Sequence, residues 1–405
     1  MELTDWEMFC DGLKAAGTAI TRPECPSSPV DRAEGYRYLL GFLHSTLTGF
    51  VYDAGPESPA FVRIMDDVVK FGLDAPDGIN SYVATVRDDI TYRIWGNAGT
   101  VRYVGWQFMA EGRGTVANIS LHDFDIREDG SFDIWVSRDR RDGNWVEMPE
   151  GANRIGMRQF QYDWRERYAE IHIEAVDAPQ AMPRCLQQRP DPDPFAAALR
   201  QLGENFALQA NFWVNFVHGC RAEGDNVVPP AILNPAIGGN LLQSANNGYW
   251  RLADDETLLI EFTPPEGHYW SVCLGNFWFE TIEPSHHQTS INGHQAQVDD
   301  DGCCRIVVAH ADPGVANWLA TVGHDQGTMT FRWLLCEEVP NVVARVVRVD
   351  DLDDVLPPST KRVDAEEREA QLGVRRESVA RRFGLPLTTR WSYHATGPPK
   401  PSNEP

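Results

Sequence analysis

A histidine, an aspartate and an arginine fall within one stretch of this 405-residue chain, and those three types could together move a proton beside an anion. Asp312, Pro313 and Gly314 open the stretch, His324 follows a glycine, and Arg332 lies in the run Thr328 to Leu335. An imidazole titrates near neutral pH, a carboxylate orients it, and a guanidinium holds an anionic or developing oxyanion group. The spacing predicts a short helix over Ala316 to Val322. It then predicts a strand on which Arg332 shares a polar face with Thr328 and Thr330, while Met329, Phe331 and Trp333 point into a core. Structural roles stand beside the chemical ones: Asp312 as a helix cap, His324 as a cap of terminal carbonyls, Arg332 as a tie across a sheet. Glu261, between Ile260 and Phe262, is a further candidate base if desolvation raises its pKa, and an outward-facing carboxylate otherwise.

A metal centre is the alternative chemistry. His286, His287 and His294, with Glu283 or His268 nearby, are of the types that suit zinc, iron or manganese. Adjacent residues on a strand face opposite ways, so His286 and His287 cannot both grip one ion there, and the expectation is chemistry with no metal and no cofactor. Asp66 and Asp67 resemble the start of an aspartate-rich diphosphate motif, yet Lys70 stands where its third carboxylate belongs. His172, flanked by Glu170 and Glu174, reads as a solvated strand residue. The chain has no Walker loop, GxGxxG, GxSxG, HExxH or EF-hand signature, which removes the nucleotide, dinucleotide, α/β-hydrolase and zincin readings.

A binding wall is easier to see than a nucleophile. Thirteen tryptophans is a heavy load for this length, and Trp270 and Trp278 sit close to Asn276 and Asn292. Large aromatic faces with a few amide handles suit an apolar small molecule, so these four residues and Tyr92 are taken as candidate substrate-binding positions.

The elements that must position these residues follow from periodicity. Apolar spacing of three and four over 33–72 predicts two or three helices. Alternating runs at Ile90 to Trp95, Thr100 to Met109, Ser131 to Val136 and Tyr168 to Ala175 predict a first β domain. Asp193 as N-cap and Pro194 at the first position start one or two amphipathic helices that run to Cys220. Thr257 to Thr263, Tyr269 to Leu274, Arg305 to Ala309 and Thr328 to Leu335 predict a second β domain. A weak echo between Asp88 to Trp106 and Asp254 to Trp270 suggests that the two domains repeat one module. Ser359 to Phe383 reads as a charged helix with a solvated face, and Leu385 to Pro405 as an irregular tail. The resulting division is a helical segment at 1–73, a β domain at 74–188, a helical linker at 189–225, a second β domain at 226–350, and a charged helix with tail at 351–405. The fold class is α+β, mainly β, with two stacked-sheet domains of sandwich or jelly-roll kind.

Composition sets the outer limits. Hydrophobic residues make up 42% of the chain, and 59 acidic against 36 basic residues give a net charge of −23. That charge repels phosphate backbones and anionic lipid surfaces, so neither nucleic acid nor membrane is an expected partner. The opening residues are not those of a signal peptide and no long apolar run occurs, which reads as a cytoplasmic protein. Eight scattered cysteines without a two-residue spacing read as reduced thiols. Homodimerisation is the common state for such a chain.

Two segments are more specific. FGLDAPDGINSYVATVRDDITYRIWGNAG at 71–99, and YWRLADDETLLIEFTPPEGHYWSVCLGNFW, TSING, HADPGVANWLATVGHDQG and FRW between 249 and 333, resemble the bacterial family known as domain of unknown function 1214. The resemblance covers most of the chain, with Asp312, Pro313, Gly314, Asn317, Trp318, Gly323, His324, Arg332 and Trp333 as its densest part. It implies a β-rich two-domain fold and carries over no catalytic role. Function is therefore read from the residues. The leading expectation is an enzyme acting on an apolar, ring-containing or isoprenoid-like small molecule by hydrolysis, hydration, dehydration or isomerisation. His324 carries the proton, Asp312 orients it and Arg332 holds the anion. The alternatives are a non-catalytic small-molecule-binding or assembly module, and a metal enzyme built on His286, His287 and His294.

Overall fold

The computed structural model describes residues 2–53, 55–65, 68–71, 75–178 and 189–384. Asp66, Asp67, Cys185 and the segment Leu385 to Pro405 lie outside the described residues, as do the boundaries drawn at 73, 74 and 188.

Three helices come before or between the β domains, and each start has a chemical cause. Helix α1 (Leu3–Thr18) opens where the Glu2 backbone N–H donates to Asp5 Oδ2 at 2.7 Å. Helix α2 (Pro29–Tyr52) is capped by the Ser28 hydroxyl, which accepts from Asp31 N–H at 3.1 Å, with proline at the first position. Helix α3 (Pro192–Ala222) is one 31-residue helix that begins two residues earlier than the sequence predicts, because Asp191-Pro192 repeats the Asp-Pro signal of Asp193-Pro194. Helices α1 and α3 cross at Gly12 and Gly203, where a Cβ on Gly12 would stand 2.3 Å from the Gly203 carbonyl oxygen.

The helical pattern expected to continue through Ile64 instead gives way to a strand, β1 (Val62–Arg63), which pairs with β2 (Gly78–Thr85). The first β domain adds β3 (Tyr92–Asn97), β4 (Tyr103–Ala110), β5 (Gly114–Ser120), β6 (Ser131–Ser137), β7 (Trp145–Glu147), β8 (Ala152–Phe160) and β9 (Glu170–Ala175). The second consists of β10 (Gln243–Arg251), β11 (Glu256–Phe262), β12 (Gly267–Gly275), β13 (Ser290–Asn292), β14 (Cys304–Ala309), β15 (Trp318–Ala320), β16 (Gln326–Cys336) and β17 (Val343–Arg348). Two further helices, α4 (Leu352–Val355) and α5 (Ala365–Phe383), close the described chain.

The two β domains are topological copies. One sheet of the first runs β1-β2-β8-β4-β5 and the other β7-β6-β3-β9; in the second, the orders are β10-β16-β12-β13 and β15-β14-β11-β17. Adding eight to each strand number from β2 to β9 converts the first set into the second, including the parallel pairs β6 with β7 and β14 with β15. The echo between 88–106 and 254–270 falls on matching strands, but each of those strand pairs turns a corner between sheets and does not form a hairpin. Each domain buries its own core, around Ile94, Trp106 and Ile134 in the first and Ile260, Phe331 and Trp333 in the second. Burying a side chain such as Phe331 contributes about 2 kcal/mol.

Two further regions differ from the sequence reading. The helix expected over Ala316 to Val322 is strand β15, paired in parallel with Val307 to Ala309. Leu319 and Trp318 alternate between two cores there, and a short apolar run does not by itself separate helix from strand. Helix α5 is not a freely solvated element: Arg368 and Arg375 are buried. Arg368 reaches Asp312 at 2.9 Å, Arg375 bonds the Ser290 carbonyl and lies over Trp164, and Arg381 donates to the Trp164 carbonyl at 2.8 Å. The helix thereby straps the second β domain to the first. All described cysteines are free thiols.

Candidate binding cavity

The inner sheets of the two β domains meet helices α2 and α3 around a cavity of about 860 Å³. Strand alternation decides which residues face it. On β8, Ile155 and Met157 enter the first core, so Arg154 and Arg158 face the other way into the cavity. On β16, Met329, Phe331 and Trp333 enter the second core, and Thr330 and Arg332 line the cavity. The same alternation puts Gln243, Ala245 and Asn247 of β10 on the cavity side, while Asn246 turns inward and accepts from Trp333 Nε1 at 2.6 Å.

The roof is aromatic. Phe42 of α2 meets Phe71 edge-on at 5.0 Å, and Trp213 of α3 stacks on Phe279 at 5.4 Å. Phe279 has φ 59, a left-handed conformation costly for an aromatic residue. The turn that holds it is built by Asn276, whose Oδ1 accepts from the N–H groups of Trp278 at 2.9 Å and Glu280 at 3.1 Å. The polar groups lie mainly on the sheets. Thr330 Oγ1 donates to Asn247 Oδ1 at 2.9 Å, Arg158 Nη2 donates to the Gly238 carbonyl at 2.9 Å, and buried Arg332 donates to Cys273 Sγ at 3.4 Å. Gln243 Oε1 is buried and meets no donor among the described residues. Among the described lining residues, Arg154, Arg158 and Arg332 face a single carboxylate, Asp53.

Of the expected acid/base group, only Arg332 lies on this cavity. His324 does not line it: its Nε2 meets Glu34 Oε1 of α2 at 3.0 Å and its Nδ1 meets the Thr321 carbonyl at 2.8 Å. Both ring nitrogens face acceptors, an arrangement suited to an imidazolium. Burial pulls the His324 pKa down, but the Glu34 hydrogen bond and charge outweigh it, and the net shift is upward. Burial likewise raises Glu34, and His324, Arg37 and Asn276 outweigh that to leave it lowered. Glu280, bonded by Arg37 at 2.8 Å and Asn276 at 2.8 Å, stays raised by burial. Asn276 and Trp278 belong to this knot; Trp278 Nε1 donates to the Asp31 carbonyl at 2.8 Å, and Gly35 is needed because a Cβ there would lie 2.8 Å from the indole.

The carboxylate on His324 is thus Glu34, while Asp312 pairs with Arg368 and accepts from Gly314 N–H at 2.9 Å. Glu261 faces outward between Arg305 at 2.9 Å and Arg345 at 3.2 Å. Tyr92 donates to the Pro56 carbonyl at 3.0 Å, and burial pushes its phenol up to about 12. Trp270 packs in the second core against Phe262 and Trp333. Asn292 ties the domains together by donating to Asp77 Oδ2 at 2.7 Å, beside the Tyr269 hydroxyl on Asp77 Oδ1. His286 and His287 both turn toward Glu283, and His294 toward Asp163 at 3.7 Å. No group of three or more His, Cys, Asp or Glu side chains among the described residues is placed to hold a metal ion. His172 stacks on Trp95 at 4.3 Å on an outer sheet face.

The residues that sequence reasoning missed are Arg154, Arg158, Gln243, Asn247 and Trp213. The alternation in RIGMRQF on β8 was a usable signal; QSANNG on β10 has little strand character and was not.

Fold and cavity together define a duplicated two-domain β-sandwich protein with a small-molecule-sized space between its halves. The chain belongs to the family described as Protein of unknown function (DUF1214), whose model matches residues 243–338. It is similar to an uncharacterised protein from Burkholderia cenocepacia of known crystal structure, with 32% identity and a TM-score of 0.78, over 86% of this chain and 98% of that one. The VPA0106 protein from Vibrio parahaemolyticus is more distant, at 12% identity and a TM-score of 0.41, over 78% of this chain and 98% of that one. No curated protein matches the sequence. No helix among the described residues is long and apolar enough to cross a membrane.

Proposed function

We propose that this protein is a small-molecule-binding module whose ligand, an apolar and ring-containing molecule, occupies the cavity between the two β domains. The observation that carries the reading is the cavity itself: about 860 Å³, aromatic on the helix side and polar on the sheet side, within the size range of ligand sites. The unanswered Gln243 Oε1 supports it, because a buried acceptor in a water-sized or larger space is matched by a ligand or solvent donor. Nile red, a neutral apolar dye, should bind saturably, and Ala198→Trp on the cavity side of α3 should weaken it by about tenfold. Absence of saturable binding, or binding untouched by Ala198→Trp, overturns the reading.

Acid/base catalysis is the second reading, favoured by one observation: Glu280, with its raised pKa, lies in one knot with the His324–Glu34 pair. Its test is a screen for conversion of apolar esters, enols and alkenes, followed by His324→Gln, which should abolish any conversion found.

A further inference from the structure

We infer that the outer face of helix α2 is the surface through which two copies of this chain pair, helix against antiparallel helix about a two-fold axis. On its inner side α2 buries Gly35, Tyr38, Leu39, Phe42 and Ser45. At about 100° of turn per residue, Tyr36, Leu40, Leu47 and Val51 fall on the opposite side, and all four are exposed, Leu40 to 67%. A surface helix ordinarily turns charge toward water on that side. From Tyr38 to Tyr52, however, α2 contains no Asp, Glu, Lys or Arg. A helix that is apolar all round is one that is covered all round.

The spacing identifies what covers it. Tyr36, Leu40, Leu47 and Val51 are separated by 4, 7 and 4 positions, a pattern that reads the same from either end. A two-fold axis at the midpoint between Leu43 and His44 therefore sets Tyr36 against the partner's Val51 and Leu40 against the partner's Leu47, each contact made twice. That is the self-complementarity a symmetric pair requires. Leu43, half-buried, completes steps of four and three along Tyr36, Leu40, Leu43 and Leu47, the seam of a coiled coil. Area agrees with the assignment: the four exposed residues, with exposed Ala33, Arg37 and His44 on the same face, offer about 700 Å², inside the range of about 600–1,000 Å² that a stable interface takes from each partner. Charge agrees as well. Two chains of −23 repel, and a stretch that brings no carboxylate from either copy is where they can approach. A lipid surface is the poorer partner, since the stripe carries no lysine and no arginine beyond Arg37.

Sedimentation equilibrium of the full chain at about 10 μM should return twice the mass of one chain. Leu40→Arg enters the interface twice and should raise the dissociation constant by about 100-fold or more, leaving a monomer. Adding Leu47→Glu to it should restore the dimer, because antiparallel pairing sets each new cation against the partner's new carboxylate, whereas within one helix the two lie about 10 Å apart along the axis. Val298→Arg, at a 51% exposed apolar position in the second β domain, should leave the dimer intact. Both α2 positions are exposed, so far-ultraviolet circular dichroism should show every variant folded, and the wild-type mass decides the matter should Leu40→Arg not fold. A monomeric wild type, a dimer that survives Leu40→Arg, or one lost equally on Val298→Arg, overturns the interface. A double variant that stays monomeric overturns the antiparallel pairing.

Discussion

The early turns of helix α2 carry Glu34 and Arg37 into a contact where Asn276, Glu280 and His324 supply matching donors and acceptors, whereas its later turns carry Phe42, Ser45, Thr46 and Phe50 over the cavity. Both regions hold polar and ionisable groups at the boundary between the helices and the second β domain. They differ in how much open volume their side chains enclose. In the knot, the imidazole, two carboxylates, an amide and a guanidinium answer one another. In the cavity, an arginine-rich floor faces an aromatic roof across space. The shifted pKa values mark the knot as the more strongly coupled electrostatic site, and open volume marks the other as the place for a ligand.

The largest effect that would sharpen this contrast is on folding. His324→Ala leaves partly buried Glu34 with only Arg37, at 3.5 Å, as its cation and should cost about 2 kcal/mol in a denaturant titration, below the range for fully buried pairs because Arg37 remains and His324 retains 20% exposure. Nile red binding of the folded variant should be unchanged. If stability holds and dye binding collapses, the division between knot and cavity is wrong.

The pH dependence of the same pair separates its members. His324, with its pKa raised above 6.5, contributes fully below that value, and its contribution fades as pH rises through the folded pKa. Glu34, lowered below 4.5, contributes fully above that value and fades as pH falls through its folded pKa. Glu280 is raised, so burial favours its protonated form and its own contribution fades as pH rises. The stability difference between wild type and His324→Ala should thus be greatest at about pH 5 to 6 and shrink by about pH 9. A difference that grows toward alkaline pH would mean that the imidazole is held neutral.

The Ala198→Trp substitution is the mirror test, with dye binding weakened by about tenfold and unfolding free energy changed by less than about 1 kcal/mol. Smallest of all is Glu261→Gln. Its two arginines lie on an outer sheet face, and its loss should cost less than about 1 kcal/mol and leave dye binding unaltered.

Much of the frame was legible because it depends on local periodicity. The alternation around Phe331 separated Arg332 and Thr330 from the core residues beside them, and an Asp-Pro signal marked the start of α3 to within two residues. Strand β10 was not legible, since QSANNG has Ala245 as its one apolar side chain and no β-branched or aromatic residue, and it becomes a strand because β16 supplies its partners. Asp312 and His324 lie twelve positions apart and looked like partners. Their actual partners, Arg368 and Glu34, are 56 and 290 positions away.

By itself the sequence determined the mainly β class, the two sheet domains, and which face of β16 would be polar, because backbone alternation and turn chemistry act over a few residues. The tertiary structure turned a weak sequence echo into a complete match of strand order between the two β domains, and alone decided that α5 is strapped down by buried arginines and that Arg154, Arg158 and Arg332 share one cavity. Those outcomes depend on contacts between segments far apart in the chain, where a side chain's role is set by whichever distant group arrives to complete its hydrogen bonds and charge.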